Sequence, residues 1–279
     1  MLSYVVWRVE PELLRMGSIV LTWYELLVAT GLLTGSWLAE QVLVKGGVSL
    51  RKARTLLLCV GLTTAIGARL GYFLLTEPMF LLVNPLGILL PLEPGLSSHG
   101  AAAGFFLGLA FYEEAHRHPQ QTYLWLADRL AVVVPLVIFW ARLGQLMSSE
   151  AVGRPTNSLW AFVFLNYPEF PAQPRHPVPL YEALVSLLLL GGLGWAWFRQ
   201  SDCSFRGRLI GFFLVGVFFF RFLIDDLKDH PAGIIRWLGL TINQLLSLPA
   251  VFVGSFLILR SYWKRKRLPA YSGRKIMIP

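Results

Sequence analysis

The sequence contains few cysteines, few acidic residues and no spacing typical of a metal site. Only two cysteines occur in 279 residues, and they form no CxxC pair, so no disulfide framework is predicted. The five histidines show no HExxH or other ligand spacing, so we expect no metal site. Charged residues make up only 15% of the chain, with 16 acidic residues against 25 basic ones. Internal repeats and low-complexity linkers are also lacking, which favours a single domain.

Apolar residues, in contrast, are abundant, and they make up 55% of the chain. A soluble domain of this length would not need repeated apolar runs near 20 residues long. Seven such runs fall at about 19–39, 56–75, 99–114, 122–145, 178–198, 208–224 and 240–260. The first run has no small-residue cleavage pattern behind it, so we expect a retained span rather than a signal peptide. The predicted fold is all-α: a polytopic membrane protein with about seven transmembrane helices in one domain, 1–279.

The basic residues predict an orientation for these spans. With the N-terminus outside, the inner segments hold fifteen lysines and arginines and the outer segments hold six. This excess is the positive-inside bias, so the N-terminus is predicted to be periplasmic and the basic tail, about 261–279, cytoplasmic. A small outer segment, about 146–177, then lies between spans four and five. No basic stripe is interleaved with aromatic residues outside the membrane, so nucleic acid is not an expected partner.

This topology places polar residues from the first six spans at one depth, near the outer surface. Spans two, four and six run outward and carry an arginine toward their outer ends, whereas the odd spans begin at that side. The residues of this layer are Tyr24, Arg69, His99, Arg142, His176, Tyr181, Glu182 and Arg221. Their convergence predicts a polar site at the outer leaflet.

Three arginines on separate spans at one depth are difficult to explain as membrane anchors alone. A charge within a span costs roughly 2.5–3.5 kcal/mol at the bilayer centre and less near an interface, where a single arginine can snorkel. The acidic residues near this level within spans are Glu25, Asp225 and Asp226, so some positive charge is left for an external anion. In a bilayer, the abundant anion at that depth is a lipid phosphate.

Small residues repeat at four-residue spacing in three of the predicted spans. The stretches are "GLLTG" at 31–35, "GARLG" at 67–71 and "GAAAGFFLG" at 100–108. Such patterns allow helix backbones to approach one another closely. They predict tight helix pairs without indicating any particular chemistry.

Five ordered stretches carry a family resemblance: "SSHGAAAG", "ARLGQLMSSEAVGR", "RHPVPLYE", "FFRFLIDDLK" and "INQLLSLPA". In this order and spacing they resemble the prolipoprotein diacylglyceryl transferases. The resemblance extends to "LTWYELL" and "GARLGYFL" nearer the N-terminus, and thus covers nearly the whole chain. The second stretch is the most specific single piece.

The resemblance implies a seven-span transferase of the bacterial inner membrane that uses no metal or nucleotide. Such an enzyme transfers diacylglycerol from phosphatidylglycerol to the lipobox cysteine thiol of a preprolipoprotein and releases glycerol phosphate. Its expected partners are phosphatidylglycerol, lipobox signal peptides and membrane lipid. The predicted catalytic residues are Tyr24, His99, Arg142 and Arg221. The predicted substrate-binding residues are Arg69, Arg142, Gln145, Glu150, Gly153, Arg154, His176, Tyr181, Glu182, Arg221 and Asp225.

The implied chemistry needs a thiolate and a stabilised leaving phosphate. A free thiol, with a pKa near 8.5, is mostly protonated at neutral pH, so a base such as His99 or a positive field would activate it. Two guanidinium groups held around the departing phosphate stabilise the charge that it gains, and Arg142 and Arg221 are predicted to form this clamp. Glu150 and Asp225 are candidates to orient the two arginines.

The chain departs from the family pattern at several positions. Gln145 stands where the family usually has asparagine, and Ser148 and Ser149 replace its usual Asn-Gly. Ala101 and Glu25 each stand where a glycine is usual. Glutamine keeps the amide but moves it by one methylene, so its hydrogen-bonding role is open while the reaction class is not.

Two other readings of the sequence compete with this one. A divergent paralogue with altered or lost activity would share the same motifs. A lipid or anion transporter would instead distribute charges through the depth of the bilayer and show paired broken or repeated spans. The single charged layer and the absence of a visible repeat favour the transferase.

Overall fold

A computed structural model of the chain describes residues 4–17, 19–76, 78–83, 95, 97–119, 121–166, 172–199, 206–229, 236–237 and 239–267. These residues are mostly helical, as predicted. Some sequence predictions lie outside the described residues: Cys203, residues 167–171 of the outer segment, and residues 268–279 of the basic tail. The described helices are α1 (Trp23–Lys45), α2 (Leu50–Thr76), α3 (Pro78–Val83), α4 (Ser98–Ala115), α5 (Tyr123–Met147), α6 (Val178–Arg199), α7 (Arg208–Asp225) and α8 (Ile242–Arg267).

Five of these helices are long and apolar enough to cross a membrane. They are α1, α2, α5, α6 and α8. This finding confirms a multi-pass helical membrane protein. Each of the seven predicted apolar runs falls mainly on a helix. The two of these helices that are not among the five are α4 and α7, with 18 residues each. Helix α1 begins at Trp23 rather than at residue 19, because Ile19–Thr22 forms a strand.

The chain divides into two compact units. One is Ser36–Leu130, and the other combines Met1–Gly35 with Ala131–Pro279. We call the first the central unit and the second the outer unit. These names describe only their places along the sequence and do not refer to a side of the membrane. The single transferase domain expected from the sequence stays a prediction.

In the central unit, α2 and α4 are in contact through their backbones. A Cβ atom on Gly67 would lie 2.5 Å from the carbonyl oxygen of Gly100, and one on Gly71 would lie 2.7 Å from its Cα. A Cβ on Gly104 would overlap the Thr63 carbonyl. The glycine spacing in these two stretches therefore correctly predicted a close helix pair, since no larger residue fits at the crossing.

In the outer unit, glycines set two further helix contacts. Helix α1 packs on α5, where a Cβ on Gly31 would lie 2.8 Å from the Cβ of Trp140 and one on Gly144 would lie 3.1 Å from the Cα of Tyr24. Helix α7 packs on α8, where a Cβ on Gly254 would lie 2.8 Å from the Gly211 carbonyl. Arg142 of α5 and Arg221 of α7 both belong to this unit.

Short strands of the outer unit join distant parts of the chain. Strand β1 (Val5–Trp7) runs parallel to β4 (Phe162–Phe164), which pairs antiparallel with β5 (Pro174–Arg175). Strands β2 (Glu12–Met16) and β3 (Ile19–Thr22) form one hairpin, and β6 (Arg236–Trp237) and β7 (Leu240–Thr241) form another. The sequence did not predict them, because strands of two to five residues are too short to show a period-two pattern.

Two helices of the outer unit begin with residues at capping-box spacing. At the start of α1, the Glu25 carboxylate accepts hydrogen bonds from the backbone N–H and the hydroxyl of Thr22. At the start of α8, the Thr241 N–H donates to Gln244 Oε1 over 3.0 Å, and the Gln244 N–H donates to Thr241 Oγ1 over 3.1 Å. The exchange at α8 is a full capping box, whereas at α1 the Glu25 carboxylate accepts both bonds, which gives this glutamate a local structural role.

Candidate functional site

A buried carboxylate in the outer unit contacts two cations. Glu182, near the start of α6, is only 7% exposed. Its Oε2 lies 3.0 Å from Nη1 of Arg142, and its Oε1 lies 3.1 Å from Nζ of Lys228. We call Arg142, Glu182, Arg221, Asp225 and Lys228 the ionic cluster. Glu182 is therefore a charge partner rather than only a residue at a helix start.

Arg142 has a second partner within its own helix. Its Nη1 donates to the side-chain oxygen of Gln145 over 2.5 Å. Residues three apart face the same side of a helix, so this contact fixes the guanidinium against α5. Glutamine at position 145 therefore accepts a hydrogen bond from the arginine despite its extra methylene.

Arg221 contributes a buried donor that no described residue satisfies. Its Nε is buried and makes no hydrogen bond within the part of the chain that the structure describes. Glu182, Asp225 and the like-charged Arg142 lie close enough to interact with it electrostatically. Buried polar groups are rarely left without partners, so this nitrogen is a candidate donor for a ligand.

Asp225, at the end of α7, is fully buried. It is held by α8 and by Thr241, the residue just before that helix. Its carboxylate accepts hydrogen bonds from the hydroxyl of Thr241 and, over 3.4 Å, from Nδ2 of Asn243. The capping box of Thr241 and Gln244 in turn fixes this hydroxyl. The carboxylate that contacts Arg142 is Glu182, whereas the sequence suggested Glu150 and Asp225 for orienting the arginines.

The charges of the ionic cluster do not cancel. Among its five residues, three cations face two carboxylates, so one positive charge is left over within this set. Burying an uncompensated charge is costly, and protein sites retain such charges where they serve a function. The cluster is suited to a singly charged anion such as a phosphodiester, for which the forked guanidinium groups provide paired donors.

Gly153 lies where two chain segments leave no room for a side chain. A Cβ here would lie 2.7 Å from the Cβ of His176 and 2.7 Å from the carbonyl oxygen of Leu227. The Gly153 N–H donates to the His176 carbonyl over 2.9 Å, and the Arg154 N–H donates to the Leu227 carbonyl over 2.8 Å. The Gly-Arg pair of the motif therefore joins three segments, and it leaves the Arg154 side chain exposed.

Arg175 supports this junction, although the sequence gave it no role. The residue is 2% exposed, and its Nη1 donates to the Gly153 carbonyl over 3.2 Å and to the Asp229 carboxylate. It directly precedes His176 in the quoted motif, which is the only sequence signal that pointed to it. Its ion pair connects β5 to the segment that carries Lys228.

His176 and Tyr181 form one hydrogen-bonded group with Trp160. The indole N–H of Trp160 donates to the Tyr181 hydroxyl over 2.9 Å, and this hydroxyl lies 3.1 Å from His176 Nδ1. Because the hydroxyl already accepts from the indole, it can donate its own proton to Nδ1 of a neutral imidazole. Burial lowers the pKa of His176 from its ordinary value, and the positive charge of Arg154 lowers it further.

Tyr24 and Glu150 approach the ionic cluster from two other elements. Tyr24, in the first turn of α1, packs on Gly144 and is close enough to Arg142 and Glu150 to interact electrostatically. Glu150 follows the end of α5 and remains partly exposed. Burial of part of its carboxyl and the negative charge of Glu25 raise its pKa above the ordinary value.

The other two predicted residues, Arg69 and His99, belong to the central unit. Arg69 donates from Nη1 to the Gly95 carbonyl over 3.1 Å, and its guanidinium lies 4.9 Å from the centre of the Phe73 ring. His99 lies half-buried in the first turn of α4. Ser97 caps this helix, because its hydroxyl accepts a hydrogen bond from the Gly100 N–H. Both side chains therefore lie near one end of the α2–α4 pair.

Lys228 is the main site residue that the sequence predictions did not include. It was counted only among the outer basic residues, although it ends the quoted "FFRFLIDDLK" stretch. The signal was its distance of seven residues from Arg221, two helical turns. Helix α7 ends at Asp225, however, so helical spacing alone could not place its side chain.

These observations define a class: a multi-pass helical membrane protein with a buried, net positive cluster suited to an anionic ligand. Within the described ranges, no group of three or more His, Cys, Asp or Glu side chains is placed to hold a metal ion. The family model described as prolipoprotein diacylglyceryl transferase matches residues 11–260, and the chain belongs to this family.

Three relatives show how far the similarity extends, and each bears the name phosphatidylglycerol–prolipoprotein diacylglyceryl transferase. The protein of Tolumonas auensis is 36% identical over 94% of this chain and 99% of its own length. That of Chloroherpeton thalassium is 35% identical over 93% and 95% of the two lengths. That of Porphyromonas gingivalis is 34% identical over the same shares, 93% and 95%. The family resemblance of the sequence is thus confirmed over nearly the whole chain.

Proposed function

We propose that the chain transfers the diacylglyceryl group of phosphatidylglycerol to the lipobox cysteine of a preprolipoprotein, with release of glycerol phosphate. Membership of the transferase family and the names of its relatives support this reaction. The observation that carries it to particular residues is the ionic cluster, a mostly buried, net positive group. It contains Arg142 and Arg221, whose Nε has no hydrogen-bond partner among the described residues. The substrates of the proposed site are an anionic lipid and a thiol.

The proposed reaction is a displacement at carbon. The cysteine sulfur attacks the glycerol carbon that bears the phosphate, a C–S bond forms, and the C–O bond to the phosphate breaks. The electron pair of that bond leaves with the phosphate oxygen of glycerol phosphate, and the thiol proton passes to a base. His99 is the proposed base, and Arg142 and Arg221 are proposed to stabilise the charge that the leaving phosphate gains.

We place the protein in the bacterial inner membrane with seven spans, a periplasmic N-terminus and a cytoplasmic C-terminus. Helices α4 and α7 support the higher count, because 18 residues at 1.5 Å each give about 27 Å, close to the thickness of the hydrocarbon core. A reporter active only outside the cytoplasm should work when fused after Gln173 and fail after Gly47 or Arg267. The reverse pattern would move the proposed site to the inner face.

Complementation of a strain depleted of its own transferase tests the activity itself. Rescue by the full chain supports the proposal, whereas failure with good expression would favour a divergent paralogue. The same variants can then be assayed for transfer of labelled diacylglycerol from phosphatidylglycerol to a lipobox peptide.

Arg142→Lys and Arg221→Lys test the two-arginine clamp. Lysine keeps the charge but loses the planar, forked donor set. We expect each variant to lose roughly 10²–10³-fold in transfer, the range for removing one transition-state donor, with normal insertion and expression. Near-parent activity in both variants would leave these arginines as membrane anchors, because lysine reaches the interface equally well.

A further inference from the structure

The ionic cluster contains a cation whose role the two-arginine clamp does not explain. We propose that Lys228 is a positioning residue: it retains the Glu182 carboxylate so that Arg142 is free to bind the lipid phosphate. This inference rests on the proposed function and deepens it. It makes Glu182 the resting counter-ion of Arg142, which the phosphate displaces, and Lys228 the group that holds Glu182 after the displacement.

The two contacts of Glu182 differ in kind. Lys228 reaches Oε1 over 3.1 Å and hydrogen-bonds to the carboxylate. Arg142 lies 3.0 Å from Oε2, yet this oxygen is buried and makes no hydrogen bond within the described residues. The arginine contact is therefore an ion pair without hydrogen-bond alignment. It is the contact that an incoming anion can replace with the smaller loss.

Lys228 is fixed by its backbone independently of its ammonium group. Its N–H donates to the Asp225 carbonyl over 3.1 Å, and the residue forms a bridge with Gly153. The side chain is mostly buried, with 16% exposed. A substitution of the side chain thus leaves the anchoring contacts of the segment in place.

The charge balance explains why this cation matters for lipid binding. Without Lys228, Glu182 would depend on Arg142 and Arg221 for its compensation. A phosphate that took these arginines would then leave a buried carboxylate without a partner, which is costly. With Lys228 present, the carboxylate keeps one cation throughout. The lysine should therefore favour the lipid-bound state and contribute little to the chemical step.

Steady-state kinetics with Lys228→Met separate these effects. We expect the KM for phosphatidylglycerol to rise roughly tenfold, about 1.4 kcal/mol, while kcat at saturating lipid stays within about threefold of the parent. Lys228→Arg should restore the parent KM. The double variant Lys228→Met/Glu182→Gln should recover most of the lost KM, because the neutral amide no longer competes for Arg142. A merely structural role for Lys228 predicts no recovery in the double variant.

Two results would overturn the inference: an unchanged KM in Lys228→Met, or a raised KM that the Glu182→Gln change does not recover. Should Lys228→Met not accumulate in membranes, Lys228→Gln keeps a donor for Glu182 but no charge, and it should still raise the KM.

A binding experiment on the purified full chain separates this inference from the proposed function. It compares the binding of phosphatidylglycerol with that of neutral diacylglycerol. A parent that binds phosphatidylglycerol but transfers nothing contradicts the proposed function, and the ratio of parent to variant binding then decides the role of Lys228. A parent that does not bind it contradicts both.

Discussion

The α2–α4 pair and the ionic cluster are held together in opposite ways. In the pair, Gly67, Gly71 and Gly100 bring two backbones into contact, and the decisive feature is that side chains are missing. In the cluster, long side chains from α5, α6 and the end of α7 meet around the Glu182 carboxylate. The first contact depends on shape and tolerates no added atom, whereas the second depends on charge and can exchange partners. Each therefore fails under a different kind of substitution.

The largest effect that we predict is the loss of the helix pair in Gly100→Leu. A Cβ at this position would overlap the Gly67 carbonyl and lie 2.8 Å from the Cα of Gly71, and backbone atoms cannot rotate away. We expect a loss of about 3 kcal/mol or more in the free energy of unfolding, at the upper end of overpacking effects. Detergent-based unfolding and the yield of folded protein measure it.

Gly61→Leu is the matched control for this substitution. Gly61 lies on the same helix α2, but a Cβ here would meet nothing within 4 Å. The variant should therefore fold like the parent. It adds the same leucine to a helix, but at a position where the side chain has room. Equal stability of the two variants would show that the α2–α4 contact is not limited by shape.

His99→Gln asks whether the central unit also contributes to the chemistry. His99 lies one residue before Gly100, on the helix whose packing the first prediction tests. If it is the proposed base, turnover should fall roughly 10²–10⁴-fold, the usual contribution of general-base catalysis, while stability is unchanged. Transfer assays at matched expression measure this effect. Activity within a few-fold of the parent would place thiol activation with the arginines of the outer unit.

The two regions also differ in how much of them the sequence could predict. The glycine contacts followed from four-residue spacing, because residues on one face of a helix are fixed by local geometry. The common depth of the arginines was instead predicted from the alternating directions of the spans, and it stays a prediction. The pairing of Glu182 with Lys228 was not predictable, since it depends on where the chain turns after Asp225. Long-range contacts of this kind leave no periodic signal in the sequence.

The turn after α5 has a common helix-ending geometry, although the sequence lacks the glycine that usually indicates it. Ser149 has φ of 55°, its N–H donates to the Leu146 carbonyl, and the Glu150 N–H donates to the Gln145 carbonyl. These bonds form a Schellman motif with Ser149 at the left-handed position, where glycine is strongly preferred. The usual glycine of the family at this position thus has a backbone reason, and this chain tolerates the strain with a serine.

Ser149→Gly should consequently stabilise the protein by about 1 kcal/mol, because it removes the left-handed strain. It also removes a buried hydroxyl that has no hydrogen-bond partner among the described residues. Unfolding in detergent measures the gain. Ser148→Gly is the matched control, because Ser148 also has a buried hydroxyl without a hydrogen-bond partner among the described residues but does not have a positive φ, so it should gain less than Ser149→Gly. A Ser149→Gly protein no more stable than the parent would contradict this account of the turn, next to the ionic cluster.

The smallest predicted effect is a pH dependence confined to the outer unit. Burial, and then the charge of Arg154, lower the pKa of His176 in the folded protein below the 6.5 expected when unfolded. The unfolded chain therefore binds a proton more readily, and the free energy of unfolding should fall as the pH drops below 6.5 toward the lower folded pKa. His176→Gln removes this group, so the difference in stability between parent and variant should change in the same window and be constant above it. Arg154→Gln should narrow the pH range over which the stability changes, because the loss of a positive charge raises the pKa of His176 in the folded protein. A difference between parent and His176→Gln that is constant through this range would contradict a neutral, hydrogen-bonded His176 beside Tyr181.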